Sequence, residues 1–245
     1  MLDPHAGWTT DRLLGGRLTV RQPADGYRIA IDTLLLAAAV PARPGARAVE
    51  LGAGVGGAAL ALAARVSELT VLAVERELQL ARALAANAAA NALDGRVRAV
   101  VGEVAAVPVK PGSVDVAFTN PPYGSPGGSA PRTALGRAAR LEGGAPLAGW
   151  LAAAAALPRP GGDLVVIHRA DRLGEVLAAL QPCPLAVLPL WPKAGRAAKR
   201  VLVRARIGRR GGVRLTAGLV LHDAHGHFTE EADAVLRGAA GLDWE

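Results

Sequence analysis

The sequence predicts an α/β protein: a mostly parallel sheet with helices on both faces and a short N-terminal extension. Short apolar runs alternate with alanine- and leucine-rich helical stretches along most of the chain. Those runs lack the polar alternation of a half-solvated strand, as strands buried on both faces do. A glycine cluster directly follows the first of them, where ligands of such sheets lie, at the carboxyl ends of the strands. The length, 245 residues, is near the top of what one α/β domain uses, and 51% hydrophobic with 20% charged residues supports a sizeable core.

Taken in order, Arg17 to Arg21 alternates as a short strand, and Asp25-Gly26 marks a turn. Ile31 to Val40 is an apolar helix closed by Pro41 and the Pro44-Gly45 turn. Ala48 to Leu51 is a buried strand, followed by Gly52, Gly54, Gly56 and Gly57 and a helix from Ala58 to Val66. Leu69 to Val74 is a strand ending at Glu75, Leu78 to Ala92 a helix, and Val97 to Val101 and Val114 to Thr119 two further strands. The glycine-, proline- and serine-rich stretch 121–137 reads as loop. Leu147 to Leu157 is helical, Pro158 to Gly162 a turn, Leu164 to His168 a strand and Asp171 to Leu180 a helix. Leu185 to Pro189 and Lys199 to Ile207 read as strands joined by a basic loop, with Leu215 to Leu221 as a last strand.

Composition narrows the function. No apolar run approaches the roughly eighteen residues of a membrane span, and MLDPHAGWTTDR has acid where a signal peptide needs base. The reading is a soluble cytoplasmic protein with no membrane partner. A single cysteine, Cys183, excludes an internal disulfide and a cysteine-based zinc site. His222, His225 and His227 cluster without a clear fourth ligand, which favours a surface loop over a metal. The formal net charge is +7, with pI near 10.6. Between Glu175 and Asp223 there is no acid, yet there are Lys193, Arg196, Lys199, Arg200, Arg204, Arg206, Arg209, Arg210 and Arg214. A second acid-free stretch, Asp115 to Glu142, carries Arg132, Arg137 and Arg140. Such polarity suits a phosphate-rich partner; the competing reading is arginine as generic surface solvator. Aromatic content of 3% argues against a broad base-stacking platform and for phosphate contacts with one captured base.

Three motifs carry chemistry. In VELGAGVGG, Val49 to Gly57, a strand with an acid runs into a glycine turn that opens a helix, so a ligand can approach the backbone and meet helix-start N–H groups. Glu50 precedes the first glycine by two residues, where it can address a cationic ligand; a ligand-free turn is the competing reading. Glu75 ends the next strand and can accept both hydroxyls of a ribose, a test that NAD and S-adenosylmethionine both satisfy. Glu103, ending the following strand, can accept from an adenine amino group or be an exposed turn acid. Asn120-Pro121-Pro122-Tyr123 follows an apolar strand. Its prolines fix the backbone, presenting an amide oxygen, the Pro121 carbonyl and an aromatic face to a planar substrate bearing an amino group.

These residues in this order resemble the class I S-adenosylmethionine-dependent methyltransferases, in the branch that methylates amino groups through Asn-Pro-Pro-Tyr. The resemblance spans Gly26 to His168 and implies a Rossmann-like methyltransferase sheet with S-adenosylmethionine as cofactor, no metal and no dedicated base. It implies that Gly52, Ala53 and Gly54 lie along the donor, that Glu75 holds its ribose, and that Glu103 with Val104 addresses its adenine. Asn120 and Pro121 would position the target nitrogen, Asn120 also facing the donor, with Tyr123 stacking. Gly15-Gly16 followed by RLTVRQPADGYRIAIDTLLLAAAV, then RAARLE, Trp150 and AKRVLVRARIG, is similar to the bacterial group around the tRNA1(Val) adenine-37 N6-methyltransferases. There Asp32 approaches the donor's methionine end, so residues 1–45 form a segment packing on the donor site of a domain spanning 46–245. Glu50 stands where aspartate is common in the group. The resemblance implies N6-methylation of an adenine in structured RNA, a tRNA anticodon loop first, gripped by Arg137, Arg140, Lys193, Arg196, Lys199 and Arg200. The alternatives are glutamine methylation of a release factor, N2-methylation of a ribosomal RNA guanine, and a non-enzymatic nucleic-acid binder on the same scaffold.

Overall fold

The computed structural model describes residues 7–25, 28–122 and 146–245. A hairpin of β1 (Trp8–Leu13) and β2 (Leu18–Pro23) precedes helix α1 (Ile31–Ala39). There follow β3 (Arg47–Leu51), α2 (Gly57–Arg65), β4 (Thr70–Glu75), α3 (Leu78–Ala90), β5 (Val97–Val101) and β6 (Val114–Thr119). Beyond residue 145 come α4 (Leu147–Ala155), β7 (Pro158–Arg169), α5 (Leu173–Leu180), β8 (Leu185–Lys193), β9 (Arg200–Arg206), β10 (Val213–Leu215), β11 (Leu219–His222) and α6 (Glu230–Leu236).

Among the described residues, nine strands form one sheet in the order β10-β8-β9-β7-β6-β3-β4-β5, with β11 also on β8. All pairings are parallel except those of β9, which runs antiparallel between β7 and β8. Alternate strand residues bury in two clusters. One face, with Phe118, Val165 and Ile167, packs on α1, α2, α3 and α6. The other, with Val49, Leu51, Ala117, Leu164 and Val166, packs on α4 and α5. The expected Rossmann-like architecture with helices on both faces is therefore present.

From β3 the chain winds outward through β4 and β5, then returns to the other side of β3 as β6. The carboxyl ends of β3 and β6 thus border the crevice where the winding reverses, the ligand position of such sheets. The parallel register places Leu51 opposite Thr119.

Four elements differ from the sequence reading, each for a local reason. β1 was not expected, because its inward residues include polar Thr9 and Asp11. Asp11 accepts from Thr9, Gln22 and Arg28, so this strand interior is a polar network rather than an apolar stripe. Pro158 to Gly162 joins β7 instead of forming a turn, with a register shift between Val114 and Val116 of the neighbour. Gly162 is required there, since a Cβ would lie 2.6 Å from the Asp115 carbonyl oxygen. The strand expected over 215–221 is two, β10 and β11, both parallel to β8. Between them Gly218 turns at φ +82°, with its Cβ position 2.3 Å from the Pro189 carbonyl oxygen. Finally, the acidic tail forms α6, where the Thr229 side chain accepts from the Ala232 N–H and Glu230, Glu231 and Asp233 occupy the first turn. Acids there favour the positive end of the helix dipole.

Candidate active site

The glycine turn after β3 is held from β4. The N–H groups of Gly52 and Ala53 both donate to the Val74 carbonyl, at 2.9 and 3.0 Å. Gly52, Gly54 and Gly56 adopt φ of +71°, +56° and +92°, a region costly for side chains with a Cβ. Gly52 is exposed and Gly54 has open space where a Cβ would stand, so a ligand can lie against this backbone. Gly57 is closed instead: Ile29 and Thr33 beside it seat the start of α1 on the start of α2.

Glu75, buried at the end of β4, braces the turn. One carboxylate oxygen accepts from Gly54 N–H at 2.8 Å, the other from Glu77 N–H at 2.9 Å. Burial pushes its carboxyl above the ordinary range despite these donors. A carboxylate has about four acceptor positions, so two remain for hydroxyl donors. Glu50 lies deeper and faces the helix side of the turn, where it accepts from Ala59 N–H at 2.9 Å. That bond satisfies one of the open donors at the start of α2. Burial, with Glu75 adding repulsion, raises Glu50 to about 8. Gly102 N–H donates to the Glu75 carbonyl, which brings Glu103 and Val104 beside Glu75; Glu103 is exposed and Val104 buried.

Across the crevice, Thr119 ends β6 and Asn120-Pro121 follow, Asn120 half-buried and Pro121 buried. The Thr119 hydroxyl donates to the Leu51 carbonyl at 2.9 Å and accepts from the Trp150 indole N–H at 2.9 Å. The indole ring also abuts Gly52. Tyr123, Arg137 and Arg140 lie outside the described residues.

Two expected site residues meet each other. Asp32, in the first turn of α1, accepts from the Arg200 guanidinium at 2.8 Å. Arg200 opens β9 opposite Arg169 at the carboxyl edge of β7. The β8–β9 turn stands on this edge, with Arg196 and Lys199 exposed and Lys193 donating to the Ala224 carbonyl at 3.1 Å. Buried His168, also at the end of β7, is held near 4 by burial and by Arg172.

The sequence reading missed how the hairpin is attached. Asn91, just past the end of α3, accepts from Thr19 N–H and donates to the Thr19 carbonyl, and Asn87 of α3 does the same at Arg21. Asn87 also donates to the Val55 carbonyl in the glycine turn. Two asparagines one turn apart in an otherwise alanine-rich helix were the available signal. Among the described residues no group of three or more His, Cys, Asp or Glu could hold a metal ion, and no helix is long and apolar enough to cross a membrane.

Residues 27–138 match the family model of the methyltransferase small domain. A relative from Aeromonas hydrophila subsp. hydrophila, the tRNA1(Val) (adenine(37)-N6)-methyltransferase, is 30% identical over 212 residues, covering 83% of this chain and 86% of the relative. The chain belongs to the methyltransferase small-domain family. A predicted O-methyltransferase from Agrobacterium tumefaciens shares the fold with a TM-score of 0.71 and 27% identity, over 86% of this chain and 98% of that one. A 16S rRNA guanine N2-methyltransferase from T. thermophilus, in complex with AdoMet and guanosine, gives 0.56 and 22% over 82% of this chain and 51% of that one. The methyltransferase is S-adenosylmethionine-dependent. Its crevice fits that donor: an open glycine backbone beside a buried carboxylate with spare acceptor positions suits a ribose and its flanking chain.

Proposed function

We propose that this methyltransferase transfers a methyl group to the exocyclic N6 of an adenine in structured RNA, first of all an adenine of a tRNA anticodon loop. The observation that carries the reading is the placement of Asn120-Pro121 at the end of β6, one strand from the Gly52 turn and in register with it. The name borne by the Aeromonas relative supports the same substrate class.

Gly52, Ala53 and Gly54 lie along the donor, Glu75 accepts from its ribose hydroxyls, Glu103 and Val104 flank its adenine, and Asp32 faces its methionine end. Glu50 serves it by holding the turn. Residues 7–25 and 28–45 wall this side of the domain. Bound S-adenosylmethionine supplies an electrophilic methyl group. Asn120 and Pro121 do the rest: the amide oxygen and the backbone carbonyl accept the two N–H hydrogens of the target amine. The lone pair of an adenine amine is delocalised into the ring. Acceptors on both hydrogens favour its pyramidal form and stabilise the positive charge that grows on nitrogen. Fixing the nitrogen on the line of attack contributes through orientation. Tyr123, three residues beyond Asn120, is assigned the stacking face.

The base must leave its stack, which is easiest in a single-stranded loop. Lys193, Arg196, Lys199 and Arg200, with Arg137 and Arg140, are assigned to the flanking phosphates. A cytoplasmic location accords with a tRNA substrate.

The test incubates purified protein and labelled S-adenosylmethionine with unmodified total tRNA, ribosomal RNA and release factor, then digests the RNA to nucleosides. Label in N6-methyladenosine from tRNA is expected. Label in release-factor glutamine or in guanosine would replace the substrate and keep the site chemistry.

A further inference from the structure

Trp150 and Thr119 connect the two turns between which the reaction is proposed to occur. The Trp150 indole N–H donates to the Thr119 hydroxyl, and that hydroxyl donates to the Leu51 carbonyl, each at 2.9 Å. Thr119 immediately precedes Asn120, and Leu51 immediately precedes Gly52. The same indole lies edge-on against the glycine turn: Cζ2 and Cη2 stand 3.0 and 3.2 Å from the position a Cβ on Gly52 would take. Thr119 is fully buried, and Trp150 belongs to α4, an element that carries none of the groups assigned to donor or target.

We infer that Trp150 and Thr119 are positioning residues that fix the separation of the donor turn after β3 from the target turn after β6. The inference rests on the proposed role of Asn120 and extends it. The main-chain ladder between β3 and β6 ends at the Leu51–Thr119 pair. Past that point each strand turns away on its own, and strand pairing no longer constrains the distance from Gly52 to Asn120. The relay takes over there. The hydroxyl ties the last paired residues side chain to backbone, and the indole fills the wedge between the turns. Its N–H locks the ring plane, because rotating the ring breaks the bond to Thr119 or drives the ring into Gly52. A group transfer depends steeply on this separation, since a 1 Å misplacement costs on the order of 10²-fold in rate. The relay meets the donor turn only through the Leu51 carbonyl and the Cβ side of Gly52, and leaves the acceptor Glu75 and its donors Gly54 and Glu77 untouched, so the transfer rate is expected to fall further than donor affinity.

The test compares Thr119→Val, Thr119→Ser, Trp150→Phe and the Thr119→Val/Trp150→Phe double variant, with Asn120→Ala in parallel. The kcat on unmodified tRNA and the Kd for S-adenosylmethionine are measured for each. Thr119→Val, which keeps the shape and removes the hydroxyl, is expected to lower kcat at least about tenfold with donor Kd unchanged within about twofold. Thr119→Ser keeps the hydroxyl and retains turnover. Trp150→Phe loses turnover like Thr119→Val, and the double variant falls no further than either single one, as two links of one relay require. Wild-type kcat in Thr119→Val, or an equal loss in Thr119→Ser, overturns the relay while a crippled Asn120→Ala leaves the reaction as proposed. A parallel rise in donor Kd also overturns it, reducing the pair to general support. Full turnover in Asn120→Ala instead overturns the reading on which the relay rests.

Discussion

The two edges of the sheet hold their buried and half-buried acids in different ways. At the amino edge, the acids of β6 and β7 are closed locally by arginine. Asp163 on β7 accepts from both Arg204 and Arg206 of β9, at 2.9 and 2.8 Å. Asp115 at the start of β6 accepts from Arg47 N–H and from Arg159. At the carboxyl edge the acids Glu50 and Glu75 are buried against backbone N–H groups, and Arg196 and Lys199 stand exposed on the β8–β9 turn. The run of bases between Lys193 and Arg214 looks continuous in the sequence, but β9 divides it. Six residue steps at about 3.4 Å each carry Arg206 some 20 Å from Arg200. The acids of the amino edge are tied to arginines of neighbouring strands, with Arg209 and Arg210 exposed beyond β9; the two acids of the carboxyl edge lie against backbone N–H groups, with Arg200 paired to Asp32 and Arg196 and Lys199 exposed beside it.

The largest expected effect is at the carboxyl edge. Asn120→Ala should lower turnover by about 10²-fold or more, from the loss of an acceptor that stabilises charge in the transition state, while the Kd for S-adenosylmethionine stays within about threefold. Equal losses in both would place Asn120 in donor binding alone. Glu75→Ala removes a charged hydrogen-bond acceptor worth about 1.5–3 kcal/mol, so donor Kd should rise at least about tenfold in a calorimetric titration. An unchanged Kd would detach Glu75 from the ribose.

A charge comparison asks whether the edges differ in function as well as in geometry. Arg196→Ala/Lys199→Ala should weaken RNA binding about tenfold and flatten the log–log salt dependence by about 1.4, at about 0.7 per phosphate contact on a single strand. Arg209→Ala/Arg210→Ala, at the far end of β9, should leave both nearly unchanged. Equal effects from the two pairs would erase the distinction and return the whole stretch to generic electrostatics.

The sequence made one edge much more legible than the other. The carboxyl edge announces itself because Gly52, Gly54, Glu75 and Asn120-Pro121 sit at strand ends and break the apolar pattern there, through positive φ at the glycines, a buried acid at Glu75 and a proline after Asn120. Asp32 and Arg200 were also picked out, but as servants of different ligands. That they pair could not be read, since the contact joins residues 168 positions apart, from the first turn of α1 to the start of β9. Thr119 was invisible for a related reason: a threonine ending an apolar strand looks like any β-branched residue until the indole above it is seen. The hairpin edge of β1 was missed because its interior is polar, and hydrophobic periodicity carries no record of an Asp11–Gln22–Arg28 network.

The smallest effect compares one acid from each edge through pH. Glu50 is raised to about 8, chiefly by burial. Folding therefore favours its protonated form, and its contribution is fully present below the ordinary carboxylate value of 4.5 and is lost as pH rises from there towards 8. Asp115 is lowered, first by Arg47 N–H and then by Arg159. Its contribution is present above the ordinary value of 3.8 and is lost as pH falls through its lower folded value. Glu50→Gln keeps an oxygen for Ala59 N–H and cannot ionise, so chemical-denaturation stability should flatten between pH 5 and about 8 with little change at pH 4. Asp115→Asn should do the reverse, weakening the protein near neutrality while removing part of its acid sensitivity below pH 4. Slopes of the same sign in the two variants would mean that the carboxyl-edge acid is ionised and paired like its counterpart, and the contrast between the edges would then rest on the cations alone.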